Sequence, residues 1–98
     1  MSTYAAMLAA DRRLVILRLL HESGGYTANE YLIQAALDGF GHSVGRDLLR
    51  TELAWLAEQG LVTVQEVGGV QVATLTSRGD DVAEGRAVVP GVKRPEPQ

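Results

Sequence analysis

At Gly60 the spacing of apolar residues changes from about 3.6 to 2, and this change sets the order of secondary structure. Before Gly60, Leu49, Leu53 and Leu56 share one helical face, while Asp47, Thr51, Ala54 and Glu58 point nearly the opposite way. Leu48 and Trp55 widen the side expected to be buried. Ser43 is a suitable cap, so the helix is expected through Gln59, with Gly60 ending it. After Gly60, Val62 and Val64 alternate with Thr63 and Gln65, then Val70 and Val72 with Gln71, which is the pattern of strands. Gly68-Gly69 between them can take the positive φ of a two-residue hairpin turn. The alternation slips at Val72-Ala73, where a bulge is expected.

Two more helices precede this unit. Leu14, Leu17 and Leu20 recur at helical spacing, Asp11 is placed to cap the first turn, and Gly24-Gly25 ends the helix near Ser23. The alanine-rich segment Tyr4 to Ala10 is either a short separate helix or an extension of that one. Thr27 with Glu30 has the spacing of a capping box, with Asn29 as a rival cap. Tyr31, Leu32, Ala35 and Ala36 then read as an inward stripe up to Gly39. Thr76-Ser77 is expected to cap a last short helix through about Arg86, and Pro90, Pro95 and Pro97 mark an irregular tail.

The resulting class is mainly α with a small β-hairpin, in the order of a winged helix-turn-helix. Direct junctions at Gly60-Leu61-Val62 and Leu75-Thr76 leave the hairpin little room to wander. Residues 1–10 form an N-terminal apolar extension, 11–86 the winged helix-turn-helix domain and 87–98 the tail. A chain of 98 residues encloses a single core. The stretch Leu53-Ala-Trp-Leu-Ala-Glu-Gln-Gly-Leu-Val62, with Leu75-Thr-Ser-Arg-Gly79, resembles the recognition-helix end and wing exit of ArsR-like bacterial regulators. Together with Asp11-Arg-Arg-Leu14, Ile16-Leu-Arg-Leu-Leu20 and Val89-Pro-Gly-Val-Lys-Arg-Pro95, it resembles small winged-helix proteins of Mu-like phages and prophages over nearly the whole chain. The resemblance implies the fold.

Composition removes several function classes. There is no cysteine and only His21 and His42, so the thiolate or clustered His ligands of ArsR-like metal sensors are lacking and no metal or cofactor is expected. Both histidines read as surface or helix-end residues. Asp80 and Asp81 diverge on a helix, and Gly68-Gly69 and Gly39-Phe-Gly41 lack the lysine of a phosphate loop, so no enzyme is expected. No basic residue precedes the N-terminal apolar stretch, and the run Leu14–Leu20 is short and broken by Arg18; neither signal peptide nor membrane span is expected, and the host cytoplasm is the expected location.

Double-stranded DNA is the first candidate partner, with Ser43, Arg46, Asp47, Arg50 and Thr51 placed to enter a major groove. The alternative for both arginines is pairing with Asp47 or Glu52. A formal net charge of −3 and a wing bearing Glu66 beside Gly68 and Gly69, with no Lys or Arg, count against DNA. Lys93 and Arg94 could follow a phosphate backbone. The alternative partner is a protein, with Trp55 and Leu48 as either core or interface residues. Surplus apolar surface at Tyr4, Met7, Leu8 and Val82 suggests a homodimer.

Overall fold

The computed structural model describes residues 3–96; Met1 of the N-terminal extension and Pro97 of the tail lie outside the described residues. Along the chain run α1 (Tyr4–Glu22), a 3-10 turn (Gly24–Tyr26), β1 (Thr27–Asn29), α2 (Glu30–Gly39), α3 (Arg46–Glu58), β2 (Val62–Val67), β3 (Val70–Leu75) and α4 (Ser77–Ala83).

α1 is one continuous helix. Thr3 Oγ1 accepts the Ala6 N–H at 3.1 Å and caps it, so Tyr4 to Ala10 is an extension. Asp11 is therefore not a cap; its carboxylate accepts from His42 Nε2 at 2.7 Å and Lys93 Nζ at 3.4 Å. The inward face of α1 is Leu14, Ile16, Leu17 and Leu20.

α2 starts on Asn29, whose side chain accepts the Leu32 N–H at 3.0 Å, and not on Thr27. Thr27 instead opens β1, its hydroxyl 2.9 Å from that of Thr74. The expected face of α2 is corrected: Glu30, Ile33 and Leu37 are buried, while Tyr31, Leu32 and Ala35 are exposed. A buried carboxylate one turn before Ile33 rotates the helix away from the stripe that apolar residues alone suggest.

α3 begins at Arg46 with Gly45 as its cap, so Ser43 caps nothing and is exposed. Gln34 Nε2 donates to the Val44 carbonyl at 2.9 Å and holds the preceding residues off helical geometry. Leu49, Leu53 and Leu56 are buried as expected; Leu48 is not, and faces solvent. Full burial of each such leucine contributes about 1.5–3 kcal/mol.

The three strands form one antiparallel sheet in the order β1-β3-β2. β1 is too short to signal itself in sequence, yet it pairs Thr27 with Thr74 and Asn29 with Val72. β2 and β3 pair without interruption from Val62 opposite Leu75 to Val67 opposite Val70, so the bulge expected at Val72-Ala73 is absent. The apparent slip comes from phase: Ala73 and Leu75 face the core, whereas Val70 and Val72 lie on the other side. Gly68 (φ 57°) and Gly69 (φ 80°) make the tight turn.

Thr76 Oγ1 accepts the Gly79 N–H at 3.0 Å to cap α4, which ends at Ala83, short of Arg86. The tail is irregular but packed. Val89 and Val92 are buried, the Lys93 N–H donates to the Ala10 carbonyl at 3.1 Å, and Arg13 Nη1 donates to the Gly91 carbonyl at 3.0 Å. Gly91 has φ 97°, and a Cβ there would lie 2.8 Å from the Trp55 ring, whose face Arg13 covers at 4.0 Å. Gly91→Ala is expected to lift the tail, read as faster hydrogen exchange at the Lys93 amide with little change at Leu53.

Candidate nucleic-acid interface

Glu30, at the first position of α2, is the group that organises the face built from α3 and the hairpin. Its side chain is 1% exposed. Oε1 accepts from Arg46 Nε and Arg50 Nε, each at 2.9 Å, and Oε2 accepts from Arg50 Nη2 at 2.8 Å and from the Gln71 backbone N–H. Arg50 Nη2 reaches on to the Gly69 carbonyl at 3.0 Å, and Arg46 Nη2 to the same oxygen at 3.4 Å. The start of α2, the first half of α3 and the hairpin tip are thereby joined through one carboxylate. Arg46 also lies over the Tyr31 ring at 4.8 Å.

The hydrogen bonds from Arg50, then Arg46, hold the Glu30 carboxyl far below the usual range, against the opposing effect of its burial. Both guanidinium groups are correspondingly raised, chiefly by their hydrogen bonds to Glu30. The arginines therefore pair neither with Asp47 nor with Glu52, the alternative expected from local sequence. Glu52 is buried on the opposite side of α3 and accepts from Arg12 at 2.8 Å and Arg13 at 3.1 Å.

The side chains of Arg46 and Arg50 remain 41% and 33% exposed, and among the described residues neither Nη1 atom has a partner. Ser43, Asp47 and Thr51 are exposed nearby, with the Thr51 hydroxyl donating to the Asp47 carbonyl. Glu66, Gly68 and Gly69 are exposed on the hairpin. The structure thus brings Arg46 and Arg50 together with the wing tip at Gly69. Lys93 is instead tied to Asp11 on α1, and Arg94 is exposed beside it in the tail. Of the residues expected at a dimer contact, Tyr4 and Met7 are exposed and Leu8 is half-buried, but Val82 is buried in the core and is corrected.

His21 stands in the last turn of α1, a helix-end position as expected, whereas the burial of His42 departs from expectation. His42 is buried against Asp11, whose carboxyl, though raised by burial, is held below its ordinary value by hydrogen bonds and charge from His42 and Lys93. His21 joins α1 to α4, its Nδ1 lying 2.6 Å from Asp80 and its Nε2 2.7 Å from Glu84. These three groups offer ligand atoms within 4.8 Å of one another, and Arg86 already bonds the second Asp80 oxygen at 3.0 Å. Their separation of some 60 residues in sequence hid the cluster. No helix among the described residues is long and apolar enough to cross a membrane.

Three helices, a hairpin following the third, and a closing helix constitute a winged helix-turn-helix, and the chain is a protein of that class. A chain from the complex structure of hsRosR-S1 superposes with a TM-score of 0.66 at 23% identity, covering 81% of this chain and 70% of that one. No family model matches. The uncharacterized protein gp26 of Escherichia phage Mu is 58% identical over 92 residues, which span 94% of this chain and 95% of gp26. An uncharacterized protein of Haemophilus influenzae is 47% identical over 77 residues, 78% of this chain and 74% of that protein. The chain belongs to the family of Mu gp26.

Proposed function

We propose that the chain is a non-enzymatic double-stranded DNA-binding protein of a Mu-like phage, acting in the host cytoplasm as a transcriptional regulator or DNA-contacting accessory. The observation that carries this reading is the clamp of Arg46, Arg50 and the Gly69 carbonyl on buried Glu30. A groove-reading surface needs its donors positioned before DNA arrives, and a carboxylate behind two arginines supplies that order. The winged helix-turn-helix architecture supports the same use of α3.

The electrostatics define what kind of binder this is. Arg46 and Arg50 are offset by Glu30, which pairs with both, and Arg50 also by the charge of Glu66, so attraction to phosphate in general is weak. With about two phosphate contacts, affinity falls only roughly tenfold between 50 and 200 mM salt. Arg46→Ala and Arg50→Ala are each expected to weaken specific binding roughly tenfold to a hundredfold. A mobility-shift titration against DNA from the gene's own neighbourhood tests both; no shift at low ionic strength would remove the proposal.

The second reading is a winged-helix protein-interaction module without DNA binding. It is favoured by the apolar outer face of α2, where Tyr31, Leu32 and the following Phe40 are all exposed. Loss of partner capture on Leu32→Asp, with no DNA shift by the parent chain, would establish it instead.

A further inference from the structure

Where the end of α1 meets α4, an imidazole stands between two carboxylates. His21 Nδ1 lies 2.6 Å from Asp80 Oδ1, and its Nε2 lies 2.7 Å from Glu84 Oε1. Asp80 and Glu84 are one helical turn apart, so both project from the same side of α4. One nitrogen and two carboxylate oxygens make a donor set suited to a divalent transition-metal cation. The surroundings favour such an ion. Asp80, Asp81 and Glu84 supply three carboxylates against the single guanidinium of Arg86. Arg86 Nη2 bonds Asp80 Oδ2 at 3.0 Å and so holds that carboxylate with Oδ1 turned to the histidine, the kind of support that a ligating carboxylate receives from a neighbour. The three side chains are between 31% and 39% exposed, so an ion and its waters can enter without unfolding.

His42 offers no comparable place. It is buried, and the Asp11 carboxylate opposite it already holds the Lys93 ammonium at 3.4 Å, where a cation would otherwise sit. Among the described residues, His21, Asp80 and Glu84 are the group of three whose ligand atoms come within 4.8 Å of one another.

We infer that His21, Asp80 and Glu84 bind a divalent cation of the zinc type, which fastens the end of α1 to α4. Metal bonds of about 2.0–2.2 Å place ligand atoms roughly 3–3.5 Å apart around a shared ion. Glu84 closes α4 and its exposed side chain can swing through the remaining distance. The ion takes one ring nitrogen in place of a proton, which leaves to solvent. Water fills the other positions, so the site is open and its ion exchanges. Mg2+ and Ca2+ prefer oxygen ligands throughout and gain little from the imidazole. Because His21 and Asp80 are 59 residues apart in sequence, only the folded chain assembles the site. A bound ion therefore stabilises the fold. This inference uses no residue of the Glu30 clamp and is independent of what α3 and the wing bind.

Zn2+ titrated calorimetrically into the full chain is expected to saturate at one ion per chain and to raise the melting temperature relative to chain kept in chelator. Glu84→Gln keeps the size of an exposed side chain, so its melting temperature in chelator should stay near the parent's. Its zinc affinity, and that of His21→Ala, should fall by more than roughly tenfold. Asp11→Asn, which alters the other histidine–carboxylate pair, should bind zinc as the parent does, and excess Mg2+ should not displace the ion. Absence of saturable zinc binding overturns the proposal. So does binding that survives both Glu84→Gln and His21→Ala, or that is lost in Asp11→Asn.

Discussion

Replacing Gly79 with alanine is expected to destabilise the domain by about 3 kcal/mol, although the substitution adds a better helix former to α4. A Cβ at position 79 would fall on the backbone carbonyl of Leu61 and within 2.7 Å of Leu75 Cδ1. A backbone oxygen has no rotamer by which to withdraw. That same oxygen accepts the Thr76 N–H at 3.1 Å, so moving α4 outward breaks the junction between β3 and α4. The overlap outweighs the roughly 1 kcal/mol that alanine gains over glycine inside a helix. A contrasting case is Gly39, also helical, where a Cβ meets nothing within 4 Å. Gly39→Ala is expected to stabilise by about 0.4–1 kcal/mol. Thermal unfolding separates the two: about 3 kcal/mol corresponds to a melting point lower by more than about 10 °C in a domain of this size. A Gly79→Ala variant melting with the parent would mean that α4 does not pack on Leu61 in solution.

Gly79 also shows why some parts of the molecule were legible in sequence and others were not. Helix-ending glycines, the Gly68-Gly69 turn and the leucine spacing of α1 and α3 report local backbone geometry, so the order of helices and hairpin could be read directly. The need for a glycine at position 79 comes from Leu61, a tertiary neighbour that no local pattern announces. The face of α2 was misread for a related reason. Tyr31, Leu32, Ala35 and Ala36 form a plausible apolar stripe, but Glu30 is drawn inward by arginines on another helix, and Ile33 and Leu37 follow it. Periodicity counts apolar residues and cannot foresee a carboxylate whose burial is compensated. The same blindness offered only Asp47 and Glu52, in their own helix, as alternative partners for Arg46 and Arg50, when their partner lies 16 and 20 residues upstream. The helix bearing those arginines was legible from its leucine spacing and the stop at Gly60, although its cap was misplaced at Ser43; the pairing of the arginines was not.

That pairing is open to measurement through pH. In the folded chain Glu30 stays ionised well below its ordinary pKa of 4.5, whereas in the unfolded chain it titrates near that value. Above this range both states carry the charge and the stabilisation is complete. As pH falls below about 4.5 the unfolded state takes up a proton that the folded state refuses, and stability declines until the folded carboxyl also protonates. Glu30→Gln removes this contribution, so its stability should fall less steeply than the parent's between pH 5 and 3. Parallel curves for the two would show that the clamp does not form. At neutral pH, Glu30→Ala is expected to cost about 2–3 kcal/mol. A fully buried pair broken on one side costs more, but both guanidinium groups here keep access to water. Replacing all three members by apolar residues of similar volume should recover much of that loss, since no unpaired charge is then left against Gln71 and Gly69. A triple variant that folds well yet no longer shifts DNA would assign the arginines to recognition, because the scaffold they also brace would still be standing.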